Sequence, residues 1–277
     1  MNKTTKRILI ELSVLLVLFI ALIIFAGHFE KKQIFYPEKH VSMTPGMLSM
    51  KFDEVTLVTQ DKVKINGWFI PADKPAATLI FCHGNAGNIG DRVSGLKHLH
   101  DLGINIFIFD YRGFGKSEGE PSEEGTYRDA LAAVDYLKTR KDVDPNKLIC
   151  YGESLGGAVA VDLASRIKPA GLIIIDSFTS VYRASQDIYP FLPIRWLLRT
   201  KYDSLSKMKT IHCPVLIGHS PQDDIIPFHH GQDLYNAANA PKEFVTLKGS
   251  HEDALYIDNK KVLEQIKHFI HKSVGEN

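Results

Sequence analysis

The segment Gly152-Glu153-Ser154-Leu155-Gly156-Gly157 lies between an apolar run, Leu148–Tyr151, and a small-residue stretch, Ala158 through Ala164. Gly-x-Ser-x-Gly between a strand and a helix requires a sharp, strained turn that lifts a serine above the carboxyl end of a sheet. The flanking glycines admit the close approach of strand and helix that such a turn demands. The five-residue pattern recurs by chance in many chains. Its position between strand-like and helix-like segments is what constrains the fold.

The same alternation continues along the chain. Val55–Thr59 and Val63–Ile70, joined by a polar turn at Gln60–Asp61, read as a hairpin. Thr78–Cys82, Ile104–Phe109, Leu148–Tyr151, Leu172–Ile175, Val215–Ile217 and Phe244–Leu247 follow, and several are unbroken apolar runs suited to strands buried on both faces. Helical patterns separate them at Glu123–Lys138, 155–167, 228–239 and 256–272. A hairpin followed by alternating β and α predicts an α/β fold, with a mostly parallel eight-stranded sheet and helices on both faces.

Sites in such sheets gather at the carboxyl ends of the strands. A serine hydroxyl needs a base to take its proton, and the base needs an orienting acid, in the chain order Ser, Asp or Glu, His. The chain has twelve histidines, so placement must discriminate. His251 follows the last predicted strand after Gly249-Ser250, where the base belongs. Asp223 and Asp224 follow the preceding strand, and Asp176 ends an earlier one, where capping the next turn beside Ser177 is its ordinary role. Acyl transfer also needs two backbone N–H donors for the developing oxyanion. Leu155, after the serine, and Asn85, in the loop His83-Gly84-Asn85-Ala86-Gly87-Asn88, are placed to supply them. That loop lacks the Lys-Ser/Thr of a P-loop and the G-x-G-x-x-G of a dinucleotide site. Arg112, in Asp110-Tyr111-Arg112-Gly113, reads as structural.

Composition excludes other classes. With 33 Lys plus Arg against 32 Asp plus Glu, the formal net charge is +1, so there is no basic excess for nucleic acid. Cys82, Cys150 and Cys213 are too few and too scattered for a disulfide framework or a zinc site. No cofactor or metal is expected.

Fifteen of the nineteen residues from Ile8 to Ala26 are Leu, Ile, Val or Phe. At ~1.5 Å per residue the run spans about 28 Å, close to the ~30 Å hydrocarbon core. Its side chains favour insertion by about 5 to 9 kcal/mol, against at most ~3 kcal/mol for Glu11. The run exceeds a signal-peptide apolar region and has no clear cleavage site after it. A single-pass anchor over residues 1–27 is therefore expected, then a connector (28–50) and one domain (51–277). Lys3, Lys6 and Arg7 before the run, against Lys31, Lys32 and Lys39 after it, lean toward an extracytoplasmic domain. A small lid is expected at about 177–210, with Trp196 and Leu197 either packed on the core or facing a membrane. This interval carries six basic residues, including Arg195 and Arg199, against Asp187 and Asp203. Apolar and basic side chains together suit an anionic bilayer surface.

With these motifs assembled, the chain resembles serine hydrolases of the α/β-hydrolase superfamily. Within it the chain is most similar to the membrane-anchored branch of alpha/beta hydrolase domain-containing proteins 13 and 17 and their bacterial relatives. Phe35-Tyr36-Pro37, His83 through Asn88, Asp110 through Ser117, Gly152 through Gly157, Asp176 through Ser180 and Gly249-Ser250-His251 carry the resemblance. It implies a nucleophile at Ser154 and a base at His251. His219-Ser220-Pro221-Gln222-Asp223 stands for the family's His-Gly-x-x-Asp, which favours Asp223 as the acid. Ser220 and Ser250 replace glycines of the family pattern. The expected activity is hydrolysis of carboxylic esters or thioesters, lipid or acyl-protein substrates included, through an acyl-enzyme at Ser154. The alternatives are an aminopeptidase-like serine peptidase, for which no acidic cluster that could bind a free amine is evident in the sequence, and a non-catalytic membrane-anchored binding protein.

Overall fold

The computed structural model describes residues 5, 7, 12, 13, 17, 30–191, 198–253 and 260–275. The expected anchor over residues 8–26 lies, apart from Leu12, Ser13 and Val17, outside the described residues. So do Trp196 and Leu197. Among the described residues no helix is long and apolar enough to cross a membrane.

Eight strands form one sheet: β1 (Asp53–Val58), β2 (Lys64–Ile70), β3 (Thr78–Cys82), β4 (Asn105–Phe109), β5 (Leu148–Glu153), β6 (Gly171–Ile175), β7 (Val215–His219) and β8 (Lys242–Thr246). Their spatial order is β8-β7-β6-β5-β3-β4-β2-β1. β2 pairs antiparallel with both β1 and β4, and every other pairing is parallel. The predicted hairpin is thus β1–β2, and the apolar runs are the buried strands. β8 begins and ends earlier than its apolar run suggested; Leu247 lies past its end but still donates its N–H to the His219 carbonyl.

The helices among the described residues include α1 (Val93–His100), α2 (Glu123–Thr139), α3 (Leu155–Ile167), α4 (Val181–Ile188), α5 (Ser204–Met208), α6 (His229–Ala237) and α7 (Lys260–Ser273). Successive strand residues point to opposite faces, and the two cores divide accordingly. Ile80, Phe107, Cys150 and Ile174 pack with α2, α3, α5 and α6. Leu79, Ile106, Ile149 and Ile173 pack with α1 and α7. α1 has no counterpart among the predicted helices. Its apolar stripe is only Val93, Leu96 and Leu99, and Gly95 interrupts it.

Between the expected anchor and β1, residues 34–40 form a strap. Tyr36–Pro37 pairs in parallel with Ala86–Gly87, making a miniature two-stranded sheet. Phe35 is buried, its ring edge-on to Tyr202. Inside the expected lid the described elements are α4, capped by the Ser180 hydroxyl, and α5.

Candidate active site

Ser154 stands between β5 and α3 with φ 52° and ψ −122°, in the left-handed half of backbone space. Such a conformation costs about 1–3 kcal/mol and persists only where its surroundings enforce it. They do so here through the glycines. A Cβ on Gly152 would collide with the Gly156 carbonyl, and one on Gly156 with the Cys82 and His83 carbonyls.

The serine is one end of a chain of hydrogen bonds. Its hydroxyl donates to His251 Nε2 at 2.9 Å, and His251 Nδ1 donates to Asp223 Oδ2 at 2.7 Å. Asp223 Oδ1 accepts the N–H groups of Ile225 and Ile226 at 2.8 and 2.7 Å. Burial disfavours charge on His251, but the Asp223 hydrogen bond and the negative charges of Asp223, Asp176 and Asp224 outweigh it and raise its pKa. Burial likewise opposes ionisation of Asp223, and its bonds to His251, Ile226 and Ile225 outweigh that and lower its pKa. Both directions favour an imidazolium–carboxylate pair once the ring takes up a proton.

Each of the three aspartates considered from the sequence has its own place. Asp223 takes the ring, and Asp224 Oδ1 accepts the His251 backbone N–H at 3.2 Å. Asp176 does not cap the turn beside it as expected. Its Oδ1 accepts the Ser220 N–H at 2.8 Å, and burial pushes its pKa up to about 7. Ser220 and Ser250 both tie down the histidine loop. Ser220 Oγ donates to the Gly249 carbonyl at 2.6 Å, and Ser250 Oγ donates to Asp253 at 2.7 Å.

On the other side of Ser154 lies the loop after β3. A Cβ built on Gly84 would sit 3.8 Å from the Ser154 Cβ, so this loop packs directly on the serine. His83 is fully buried against Tyr111 and Phe114, and its Nδ1–H donates to the Gly84 carbonyl at 2.7 Å. Burial lowers its pKa to about 3, which keeps the ring neutral. Leu155 is the first residue of α3, so its N–H has no acceptor within the helix. The positive end of the helix dipole lies there too.

A small cleft, about 80 Å³, opens over Ser154 and His251 and is lined by Gly84, Asn85, Ala86, Arg92, Glu153, Ile175, Asp176 and Glu252. Sequence reasoning missed Arg92, Glu153 and Glu252. Glu153 is the variable second residue of the serine motif, and Arg92 arrives from a 3-10 turn that no pattern announces. Arg112 is structural, as expected: its guanidinium bridges Asp129 at 2.9 Å and Asp61 at 2.8 Å. Among the described residues, two His–Asp groups have the spacing of metal ligands, Asp187-His229-His230 and Asp176-His219-Asp223. In the first, the Thr179 N–H donates to His230 Nδ1, which leaves Nε2–H to donate to Asp187 at 2.8 Å. In the second, His219 Nε2–H donates to the Ile226 carbonyl at 2.9 Å. This second group leaves His219 Nδ1 and Asp176 Oδ2 buried without a hydrogen-bond partner.

Comparison with known proteins places this arrangement in a family. Residues 73–200 match the serine aminopeptidase S33 family. Rv2307c of Mycobacterium tuberculosis is 35% identical over 90% of this chain and 89% of its own. The Arabidopsis thaliana alpha/beta hydrolase domain-containing protein WAV2 is 31% identical over 76% of each chain. The chain belongs to the α/β-hydrolase family. It is a hydrolase of the α/β fold. Another relative in that family, the Saccharomyces cerevisiae membrane protein YNL320W, is 32% identical over 78% of each chain. Among solved structures, an esterase of Pyrococcus furiosus, Pf2001, superposes with a TM-score of 0.74 at 21% identity, covering 87% of this chain and 98% of its own. At that identity the likeness speaks for the fold alone.

Proposed function

We propose that this hydrolase is a serine esterase or thioesterase acting on acyl substrates through an acyl-enzyme at Ser154. The observation that carries the reading is the unbroken hydrogen-bond chain Ser154–His251–Asp223 at the mouth of a cleft. The esterase activity named for Pf2001, on the same fold, agrees with it.

In this mechanism His251 Nε2 takes the Ser154 proton as Oγ attacks the carbonyl carbon. The tetrahedral oxyanion is held by the N–H groups of Asn85 and Leu155. The C–O or C–S bond then breaks, and His251 gives its proton to the departing alcohol or thiol. Water attacks the acyl-enzyme with His251 again as base, the acid leaves, and Ser154 regains its proton. Asp223 holds the ring tautomer and stabilises the imidazolium without taking its proton.

A fluorophosphonate probe and p-nitrophenyl esters of graded length test this reading. Labelling and hydrolysis that vanish in Ser154→Ala and His251→Ala are expected; a folded wild type that neither labels nor hydrolyses contradicts it.

One observation favours a second reading. Glu153, Asp176 and Glu252 line the cleft, and the matching family is described as a serine aminopeptidase. These carboxyl groups could receive a substrate's free amine. Aminoacyl p-nitroanilides run beside the esters distinguish the two, and faster anilide turnover would select the peptidase.

We also infer that the enzyme is held at a membrane by residues 8–26, with the lid beside the bilayer. The chain emerging from that run reaches Glu30, which is buried and accepts the N–H groups of Arg199 and Thr200 at 3.0 and 2.7 Å. Lys201, next in sequence, accepts the N–H that opens α4. The far end of α4 leads to Ile188, Tyr189 and Phe191, all exposed, Phe191 at 96%. The membrane protein YNL320W, similar over most of its length, agrees with this placement.

A further inference from the structure

The Phe35-Tyr36-Pro37 motif is unused by the mechanism above, yet the strap that contains it touches the loop that mechanism depends on. Asn85 is the residue held. Its carbonyl accepts the Tyr36 N–H at 2.9 Å, and its side-chain amide donates to the Ile34 carbonyl at 2.7 Å. The pairing continues one step further, where the Glu38 N–H donates to the Gly87 carbonyl at 3.0 Å. The peptide preceding Asn85 is held separately, because His83 Nδ1–H binds the Gly84 carbonyl. In a trans peptide the carbonyl and the N–H point in opposite directions. Fixing the Gly84 carbonyl on the ring therefore sends the Asn85 N–H the other way. The strap fixes the next peptide and the side chain, so neither dihedral of Asn85 can relax.

We propose that the strap Ile34–Glu38 is a positioning element of the hydrolytic site: it holds Asn85 so that its N–H serves as an oxyanion donor. This rests on the reading of Ser154 as nucleophile. An oxyanion donor acts through a fixed direction, and its loss costs about 10²–10³ in turnover. Misplacement by about 1 Å can cost about 10²-fold. The strap contributes no atom to the substrate and acts through Asn85 alone. It also follows the apolar run closely in sequence, so the membrane-proximal segment bears directly on the turnover step.

Two substitutions in the full chain test this. Tyr36→Pro removes the N–H that binds the Asn85 carbonyl. Asn85→Ala keeps every backbone N–H but removes the side-chain tie to Ile34. Ester kcat and KM, the inhibition constant of an alkyl boronic acid that mimics the tetrahedral oxyanion, and the thermal midpoint are measured for both. A tenfold or greater fall in kcat is expected in each, with KM within twofold of wild type and boronate affinity falling in step with kcat. Tyr36→Phe, which keeps the N–H and loses only the hydroxyl's bond to the Gln33 carbonyl, recovers most of the rate lost in Tyr36→Pro. An active wild type with undiminished kcat in both variants, or losses confined to KM or to the thermal midpoint, overturns the strap's role alone. A wild type with no Ser154-dependent hydrolysis overturns the underlying reading as well.

Discussion

Asp223 divides its two oxygens between the His251 ring and two backbone N–H groups, and this division sets the pH behaviour of the site. A general base works only when neutral. The pKa of His251 lies above the ordinary 6.5, so kcat/KM should rise with pH along a limb whose midpoint is above 6.5. Asp223→Asn removes the carboxylate that raises it. A pH–rate profile of that variant should show the limb shifted downward and a rate lower by about 10³- to 10⁴-fold. An unshifted limb would mean that Asp223 does not set the state of the ring. Arg112 makes a different kind of prediction. Its Asp129 partner is completely buried, and breaking a buried pair from one side costs about 3–5 kcal/mol. Arg112→Ala should lower the unfolding free energy by that amount, read from urea titration, while the Ser154–His251–Asp223 geometry and KM stay as they were.

At the level of elements, the site is assembled from loops that follow β3, β5, β7 and β8, and Ser220 joins two of them. It accepts the Gln222 N–H and donates to the Gly249 carbonyl across the gap between the Asp223 and His251 loops. Ser220→Gly removes this tie. The expected cost is about 0.5–1.5 kcal/mol in stability, together with a several-fold fall in kcat as the His251 loop loosens. Calorimetry and ester kinetics on one preparation check both. These loops also show what could be read in advance. The strand at Thr78–Cys82 and the helix at 155–167 lie where apolar runs and small residues put them. Chain order and strand ends confine the candidates to Ser154, His251 and the pair Asp223 and Asp224, and the family resemblance favours Asp223; the structure joins Ser154, His251 and Asp223 by hydrogen bonds. Arg92, Glu153 and Glu252 were not legible, because cleft walls follow from packing between loops distant in sequence. The role of Asp176 was misread for the same reason: its partner, Ser220, lies 44 positions away. α1 was missed because its buried stripe is too short to stand out as periodic.

For the whole molecule, the fold presents the cleft at one end of the sheet and ties Glu30 to Arg199 and Thr200, within the expected lid. The arrangement predicts an orientation. In full-length protein reconstituted into nanodiscs, with Cys213 replaced by serine, an environment-sensitive dye at Phe191→Cys should be quenched by lipid-borne quenchers. The same dye at Val58→Cys, on the edge strand β1, should remain in water. Equal exposure of both positions would count against a membrane-facing lid. The most direct test of the central claim is the acyl-enzyme itself. Wild-type protein is mixed with a p-nitrophenyl ester, quenched in acid within the first turnover and digested, and the peptide bearing Ser154 is weighed. The account predicts a burst of one p-nitrophenol per enzyme and a mass increase of one acyl group at Ser154, both absent in Ser154→Ala. Hydrolysis that proceeds in wild type with no burst and no adduct, and equally fast in Ser154→Ala, would contradict it.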